Sequence, residues 1–319
     1  MQYAELGSTG LRLSRMSFGT AFRSGFDEQK CLRAIESALD LGCNSLDTAN
    51  IYQSGRSEEL VGTALRGRRD HVVVTTKVGE QAPEEKQLSR ATIMREVEGS
   101  LRRLATDYID LYLCHKPDPS TPFAETIRAM DDLVVQGKVR YVGVSNYQAW
   151  QVCEGLCLGD RDGLTPLVCD QVPYSLLDRR IEDELVPFCS LRKVGITAYC
   201  TTFVGLLSGD YRLGAPPDPG RSWDLTGPYR YDLCLTPATD LVIETCRRIG
   251  GIHGRTAANV AMAWCLHRPE VTSVIAGADS EERVRSDFAA VDLVLTQEEI
   301  DELDSVSRGM RMAPSQGSV

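Results

Sequence analysis

Strand-like segments that are nearly all apolar alternate with amphipathic helical segments along most of this chain. Such continuous apolar strands are typical of a parallel sheet whose two faces are both covered. The alternation repeats eight times between residues 17 and 278, which matches the roughly 250 residues of a (β/α)8 barrel. We therefore predict an α/β fold, a (β/α)8 TIM barrel, formed by one domain that spans residues 1–319.

Local signals set the bounds of the predicted elements. Residues 3–14 are predicted to form an N-terminal β-hairpin with a glycine-bounded turn. Thr296 begins an extra C-terminal helix, to residue 306, with a capping-box pattern. Asp27 caps the first helix and Gly42 ends it. The barrel strands are predicted at 16–20, 44–49, 72–77, 109–115, 139–145, 168–172, 195–200 and 273–278. The other helices are predicted at 57–65, 89–104, 122–135, 148–156, 182–191, 237–249, 256–267 and 281–290.

A doubly wound nucleotide-binding sheet is the main structural alternative, because it also alternates strands with helices. That fold normally carries the glycine pattern G-x-G-x-x-G after its first strand. Residues 19–25, which follow the first barrel strand, read GTAFRSG and do not match this pattern, and neither do residues 250–254. The barrel is therefore the favoured architecture.

The charge and the cysteine content of the chain exclude several classes of function. The net charge is -10 at pH 7 and the acidic residues are spread out, so we expect no nucleic-acid partner and no membrane binding. No apolar run approaches the ~20 residues that cross a bilayer, and residues 1–5 do not resemble a signal peptide. The eleven scattered cysteines are typical of reduced, buried thiols. We expect a cytoplasmic protein without a metal site, as a monomer or a small homo-oligomer.

Four polar residues stand at or just beyond the ends of predicted strands. Asp47, Lys77 and His115 each come at such an end, and Tyr52 follows Asp47 by five residues. In a parallel barrel the carboxyl ends of all strands share one rim, where enzymes of this fold hold their active sites. Each residue also has an ordinary explanation, as a helix cap, a packed ring, a solvated amine or a structural imidazole. Their joint placement favours a common site.

These four residue types support the reduction of a carbonyl by hydride transfer. The charge that develops on the carbonyl oxygen must be stabilised and then neutralised by a proton. A phenol with a pKa near ~10 is a poor proton relay at neutral pH, but a nearby ammonium lowers that pKa. We predict that Tyr52 is the proton donor or acceptor, that Lys77 tunes it, and that Asp47 pairs with the otherwise costly buried ammonium. His115 would donate a hydrogen bond to the carbonyl oxygen and orient the substrate.

The chain resembles the aldo-keto reductase superfamily over nearly its whole length. The matching motifs, in the order of that family, are LGSTGL at 6–11, LDTA at 46–49 with Tyr52, VTTK at 74–77, DYIDLY at 107–112 with His115, VGVSN at 142–146, QVPYSLL at 171–177 and IAGA at 275–278. The chain is more similar to the bacterial sugar- and aldehyde-oxidoreductase branches and to the potassium-channel β-subunit branch than to steroid-reducing members. The resemblance implies NAD(P)-dependent interconversion of a carbonyl (aldehyde, ketone or sugar) and an alcohol, with the four roles given above.

NADP(H) or NAD(H) is the cofactor that the resemblance implies. Ser145, Asn146 and Gln171 would hold the nicotinamide amide, and Tyr199 would stack on the ring. The loop that follows would wrap the pyrophosphate, although it lacks the family's usual Ser-Pro-Leu. The other positions carried over to cofactor binding are Gly19, Thr20, Asp47, Cys200, Thr202, Gly277, Ala278, Asp279, Arg283 and Asp287.

The adenosine end departs from the pattern of NADP-preferring members, which place Lys or Arg just after the last barrel strand. This chain has Asp279 there, and a carboxylate would repel a 2′-phosphate but can accept from a ribose hydroxyl. Arg283 matches a position that, in the family, stacks on adenine and can touch the 2′-phosphate, and Asp287 replaces the usual Asn. Asp279 favours NAD, whereas the preference common in the family favours NADP, so the sequence does not decide between the two cofactors.

The substrate pocket is expected among the rim loops. Phe22, Ile51 and the segment 201–236 are candidate walls, because a connection this long is usually functional or disordered. Within that segment, the candidate aromatic anchors are Trp223, Tyr229 and Tyr231, and the candidate contacts to an anionic or polyhydroxylated substrate are Arg221 and Arg230. Simple packing of this loop on the barrel is the alternative.

Two functions are compatible with the sequence. The first is catalysis on a small carbonyl or sugar substrate. The second is a nucleotide-binding regulatory subunit of the potassium-channel β-subunit type, which keeps the fold and often the four residues. Such subunits need a partner and some carry an additional N-terminal segment. We expect no such segment in this chain, which starts at the hairpin, and catalysis is the favoured prediction.

Overall fold

Eight parallel strands close into a barrel in the computed structural model, which describes residues 1–22, 26–80, 87–219 and 233–312. The strands are β3 (Met16–Gly19), β4 (Ser45–Asp47), β5 (Val73–Val78), β6 (Ile109–Cys114), β7 (Val139–Ser145), β8 (Leu167–Pro173), β9 (Gly195–Tyr199) and β10 (Val271–Gly277). Each strand pairs with its neighbours in the chain, and β10 closes the ring on β3 with Ile275 opposite Ser17. The predicted (β/α)8 barrel is therefore confirmed.

Helices surround the barrel. They are α1 (Glu28–Asp40), α2 (Arg56–Ala64), α3 (Arg90–Leu104), α4 (Phe123–Val135), α5 (Ala149–Asp162), α6 (Leu185–Arg192), α7 (Pro237–His253), α8 (Ala257–Leu266), α9 (Glu281–Phe288) and α10 (Gln297–Val306). Most are amphipathic, whereas α8 is buried along nearly its whole length and α10 packs on α7. In α1 the buried residues Cys31, Ala34, Ile35 and Ala38 follow the helical repeat. The carboxylate of Asp27 accepts from the first-turn amides, as predicted for its cap.

The N-terminal hairpin covers the base of the barrel. Its strands β1 (Tyr3–Glu5) and β2 (Arg12–Ser14) pair antiparallel. Leu6 and Leu13 are buried in a separate apolar cluster with residues near the starts and inner faces of barrel strands, including Val73 and Val168. Because the hairpin fills the end where the strands begin, the opposite rim is the end left for a site.

The C-terminal segment is tied to the loop that follows β8. In that loop, the N–H of Arg179 donates to the carbonyl of Met310 at 2.9 Å, and Met312 donates to Leu177 at 3.0 Å. Asp304, on α10, accepts from the indole N–H of Trp264 at 3.0 Å. The extra C-terminal helix is therefore present and packed, as predicted. Within the described ranges, no helix has the length and apolarity that a membrane crossing requires.

Several predicted bounds differ from those observed: the helix predicted at 237–249 continues to residue 253, the strand predicted at 273–278 spans 271–277, and other elements differ at one end. The strand predicted at 44–49 ends at Asp47, since the chain turns towards the Tyr52 loop. The helix predicted at 148–156 continues to residue 162 and ends only at Gly163, which adopts a φ of 68° that favours glycine. The helix predicted at 182–191 begins at Leu185, because Pro187 is tolerated only in the first turn.

Candidate active site

A buried ion pair lies at the carboxyl ends of β4 and β5. The ammonium Nζ of Lys77, with a fully buried side chain, lies 2.7 Å from Oδ1 of Asp47 and 2.7 Å from the carbonyl oxygen of Thr48. The second carboxylate oxygen of Asp47 accepts from Nε2 of Gln171 at 2.7 Å. A buried ammonium is tolerated when a carboxylate and further hydrogen bonds surround it, and this arrangement supplies both.

Tyr52 stands on a tight turn that aims its ring at the ion pair. The turn spans Tyr52–Gly55, and its residues Gln53 and Ser54 have φ values of 48° and 54°. Left-handed backbone at non-glycine residues is strained and clusters at functional sites. Nζ of Lys77 lies 5.1 Å from the centroid of the Tyr52 ring. The phenol and the ammonium therefore face each other, as the sequence predicts.

His115 completes the group from the end of β6. Its ring meets the edge of the Tyr52 ring with the two centroids 5.7 Å apart. Burial, together with the charges of Lys77 and Lys116, holds the pKa of His115 well below its usual range. The imidazole is therefore neutral at neutral pH and has a single N–H to donate.

Glu80 contacts His115 and was missed in the sequence. Its carboxylate Oε2 lies 3.2 Å from Nε2 of His115, whereas Nδ1 of that imidazole is buried and meets no hydrogen-bond partner within the described ranges. This contact favours the tautomer with the proton on Nε2, the nitrogen that faces a carboxylate. The signal for Glu80 was its place just after Lys77-Val78-Gly79, where a rim residue is expected.

The residues predicted to hold a nicotinamide lie together at the ends of β7, β8 and β9. Tyr199 donates from its hydroxyl to Oδ1 of Asn146 at 2.6 Å. Nδ2 of Asn146 donates to the carbonyl of His115 at 3.0 Å. The hydroxyl of Ser145 donates to the carbonyl of Gln171 at 2.8 Å. These contacts fix two side-chain amides and one aromatic ring beside the four catalytic candidates.

A cavity of about 770 Å³ joins these groups along the rim. Pockets for small molecules and cofactors typically measure about 300–1,000 Å³. The predicted residues that line it are Phe22, Gly19, Asp47, Tyr52, His115, Ser145, Asn146, Gln171, Tyr199, Cys200, Thr202, Gly277, Ala278, Asp279, Arg283 and Asp287. Lys77 lies behind this lining, and Thr20 is buried with its hydroxyl 3.1 Å from the carbonyl of Asp47. Ile51 is not part of the lining.

The wall formed by β10 and α9 carries a second pair of opposite charges. Nε of Arg283 donates to Oδ2 of Asp287 at 3.0 Å. Oδ1 of Asp287 is buried and has no hydrogen-bond partner in the part of the chain that the structure describes. Burial raises the pKa of Asp287, although the guanidinium acts in the opposite direction. Asp279 is exposed at the edge of the same wall.

The described part of the long segment after β9 forms another wall. Cys200, Phe203 and Val204 all have positive φ, at 54°, 49° and 55°. A turn at Leu206–Ser208 follows, with both leucines buried. The predicted substrate contacts Arg221, Trp223, Tyr229, Arg230 and Tyr231 lie outside the described residues. In the parts of the chain that the structure describes, no cluster of His, Cys, Asp and Glu could hold a metal ion.

Three lining residues that follow β6 and β7 also went unrecognised in the sequence. Lys116 and Gln148 lie in the rim loops, and Gln151 lies in the first turn of α5. Their signal was their place after β6 and β7, but polar residues in such loops are common and only the closed barrel shows which of them face inward.

Comparison with known proteins decides the family of this chain. The family model described as "Aldo/keto reductase family" matches residues 15–308. The chain belongs to the aldo/keto reductase family. The resemblance seen in the sequence motifs is therefore confirmed.

Similar proteins align with almost all of this aldo/keto reductase. A protein of Oryza sativa subsp. japonica named "Probable voltage-gated potassium channel subunit beta" is 35% identical over 96% of this chain and 96% of its own. An Arabidopsis thaliana protein of the same name is 34% identical over 98% of this chain and 99% of its own. The Bacillus subtilis (strain 168) protein "Uncharacterized oxidoreductase YrpG" is 36% identical over 97% of each chain. Homologues of both an oxidoreductase type and a channel-subunit type therefore exist.

Proposed function

We propose that this aldo/keto reductase is an NAD(P)H-dependent enzyme that interconverts a small aldehyde, ketone or sugar carbonyl and the corresponding alcohol. One observation carries the proposal: the buried Lys77–Asp47 pair lies beneath the Tyr52 ring, with Nζ 5.1 Å from the ring centroid and His115 against the ring edge. A charge pair of this kind is costly to bury. Its place behind a phenol that lines a cavity supports a role in proton transfer.

The residues of the cavity fit a nicotinamide dinucleotide. The fixed amides of Asn146 and Gln171 and the ring of Tyr199 suit a flat carboxamide-bearing ring. At the β10 wall, Asp287 offers a buried oxygen that has no hydrogen-bond partner among the described residues. The cofactor, when bound, supplies the hydride that reduces the carbonyl carbon.

The proton that completes the reduction is assigned to Tyr52. As the alkoxide forms, the phenol transfers its proton to the carbonyl oxygen. The positive charge of Lys77 stabilises the phenolate that remains, and Asp47 offsets the cost of holding that charge in a buried site. His115 is neutral, so it does not act as a second acid, and its one N–H, on Nε2, would turn from the carboxylate of Glu80 to donate a hydrogen bond to the carbonyl oxygen. In the oxidation direction the same phenolate accepts the proton of the alcohol.

The Tyr52→Phe variant tests this assignment. We expect it to retain its affinity for the nicotinamide cofactor and to lose at least ~100-fold in kcat, the lower end of what positioned acid–base catalysis contributes. Cofactor affinity is measured by quenching of protein fluorescence, and kcat is measured with a panel of aldehydes, ketones and sugars. Tyr141→Phe is the matched control, since that phenol donates to the carbonyl of Thr9 on the hairpin at 3.0 Å, at the opposite end of the barrel. Equal turnover of wild type and Tyr52→Phe would exclude the proposed role.

A channel-associated subunit is the second candidate, and the names of the rice and Arabidopsis relatives favour it. Such a subunit would bind the dinucleotide and depend on a partner. Steady-state consumption of NADH or NADPH with 4-nitrobenzaldehyde separates the two functions. Repeated turnovers by the isolated chain support the enzyme, whereas binding without turnover of any carbonyl in the panel supports the subunit.

The compartment proposed for this enzyme is the cytoplasm. Nine cysteines, among them the buried Cys31, Cys43 and Cys114, are free thiols in the structure. Free thiols persist in reducing compartments, whereas oxidising compartments favour disulfides. Thiol titration of the protein purified under air-free conditions should therefore count every cysteine as reduced.

A further inference from the structure

We propose that the β10 wall of the cavity selects NAD(H) over NADP(H), and that Asp279 determines this choice. The inference rests on the proposed function and deepens it. Asp279 would accept a hydrogen bond from a ribose hydroxyl and would repel a phosphate ester at the same place. A phosphate ester adds about 1.5 to 2 negative charges at neutral pH, so the wall must either neutralise that charge or reject it.

The described lining of the cavity carries more negative than positive side chains. Among described residues, carboxylates outnumber cations there: the carboxylates are Asp47, Glu80, Asp210, Asp279 and Asp287, and the cations are Lys116 and Arg283. Asp47 is neutralised by Lys77 behind the wall. Lys116 is committed to Glu80, with Nζ 3.4 Å from the carboxylate. Arg283 is therefore the described cation that the β10 wall contributes to the lining.

Arg283 is already paired with Asp287. Its Nε lies 3.0 Å from Asp287, and that carboxylate is 95% buried, with Oδ1 unpartnered. The guanidinium thus offsets a carboxylate that cannot be solvated. A 2′-phosphate would have to compete with Asp287 for one guanidinium while it lies near Asp279 as well.

The neighbouring cation on α1, Arg33, is also paired with a carboxylate. Arg33 reaches towards the first turn of α9, but its Nε is 3.4 Å from the carboxylate of Glu281. Its side chain is also half exposed, so its field is screened by salt. A ribose with two free hydroxyls needs no cation, and its O–H groups are donors that Asp279 and the open oxygen of Asp287 can accept. The chemistry of the wall therefore suits NAD(H).

Binding measurements test the inference without turnover. We expect the wild-type protein to bind NADH at least tenfold more tightly than NADPH when Kd is measured by fluorescence quenching at 0.15 M salt. Displacement of NADH by 5′-AMP and by adenosine 2′,5′-bisphosphate locates the effect at the adenosine, and 5′-AMP should compete better.

Asp279→Arg should tighten NADPH binding at least tenfold and should change the Kd for NADH by less than about threefold. Asp279→Asn removes the repulsion alone and should give a smaller gain for NADPH. Glu282→Arg is the matched control, because it makes the same charge change three residues further along the chain, at an exposed residue in the first turn of α9 that is not part of the cavity lining. It should alter either Kd by less than threefold.

Three outcomes of these binding measurements would overturn a proposal. Equal or tighter binding of NADPH by the wild type overturns the selectivity and leaves the proposed function standing. Equal effects of Asp279→Arg and Glu282→Arg overturn the assignment to Asp279. Failure of both dinucleotides to bind a folded wild-type protein would remove the proposed function together with this inference.

Discussion

At the scale of single residues, this barrel separates two ways of holding a carboxyl group away from water. Asp47 uses both carboxyl oxygens, one on the ammonium of Lys77 and one on the amide of Gln171. Asp170, on β8, is fully buried, and neither of its carboxyl oxygens has a hydrogen-bond partner among the described residues. Burial therefore raises the pKa of Asp170 well above its usual range, and Asp170 stays protonated.

The Asp170→Asn variant should be more stable than the wild type at pH 7. The difference in unfolding free energy between the two proteins should grow as the pH rises. The folded pKa is raised, so the folded chain keeps a proton that the unfolded chain releases above its pKa of about 3.9. Wild-type stability therefore falls as pH rises from that value towards the folded pKa, and the neutral amide removes this loss. The advantage of the variant in unfolding free energy should grow by up to about 1.4 kcal/mol for each pH unit above that value. A fixed cost of about 1–3 kcal/mol, for the amide donors left unpaired, reduces this advantage at every pH.

Urea unfolding at pH 5, 6 and 7 measures this difference. Asp107→Asn makes the same chemical change at an exposed position and should shift stability by less than about 0.5 kcal/mol. A variant that is less stable than wild type at every pH, by a constant amount, would show that Asp170 is ionised and well solvated.

At the scale of elements, the connection from β4 to α2 fixes where Tyr52 points. Glu58, in the first turn of α2, is fully buried and accepts from Thr76 on β5 and from Nε of Arg103 on α3, both at 2.6 Å. Gly55 stands between Tyr52 and that helix with a φ of 91°. A Cβ at Gly55 would lie 2.7 Å from Cδ of Arg103. The turn that carries the phenol therefore depends on the same arginine that holds α2 in place.

We expect Gly55→Ala to lower the free energy of unfolding by more than the strain of the backbone alone would explain. An alanine at positive φ costs about 1 kcal/mol. Displacement of Arg103 from buried Glu58 should add about 1–3 kcal/mol, and kcat should fall because Tyr52 moves with its turn. Gly67→Ala is the control, since that glycine follows the same helix with a φ of 76° and has nothing within 4 Å of the added carbon. Chemical denaturation and steady-state kinetics of both variants give the comparison, and equal losses of stability would show that Arg103 adjusts freely.

Most elements could be predicted because their signals are local. Asp27, Gly42 and the Thr296 capping box act on neighbouring residues, and each was found where the sequence placed it. The strand ends that carry Asp47, Lys77 and His115 follow from the same reasoning. The contact between Asp47 and Gln171 spans 124 residues of chain, so only the closed barrel shows it. The pairings of Glu80 with His115 and of Arg283 with Asp287 are likewise set by side-chain packing that no periodicity encodes.

At the scale of the whole molecule, the two ends of the barrel carry different tasks. The described cavity lies on the rim at the carboxyl ends of the strands, whereas the hairpin covers the base. A barrel of this kind can thus vary its rim while other contacts hold the fold. The C-terminal helix α10 supplies such contacts through Asp304. This carboxylate accepts from Trp264 at 3.0 Å, lies 3.2 Å from Arg179 and also pairs with Arg268.

Asp304→Ala should therefore destabilise the fold and leave the site intact. The change leaves the buried indole N–H of Trp264 without its acceptor and two guanidiniums, which lie 5.1 and 4.3 Å from the Trp264 ring centre, without their shared counter-charge. The expected cost is about 2–4 kcal/mol in unfolding free energy. Asp301→Ala, on the same helix, removes an exposed contact with Gln297 and should cost less than about 0.5 kcal/mol. Thermal unfolding gives the stability, and Kd for the dinucleotide at 15 °C reports on the cavity. If Asp304→Ala weakened dinucleotide binding as much as it lowered stability, the rim and the C-terminal helix would form one cooperative unit, and the separation argued from the contacts would be wrong.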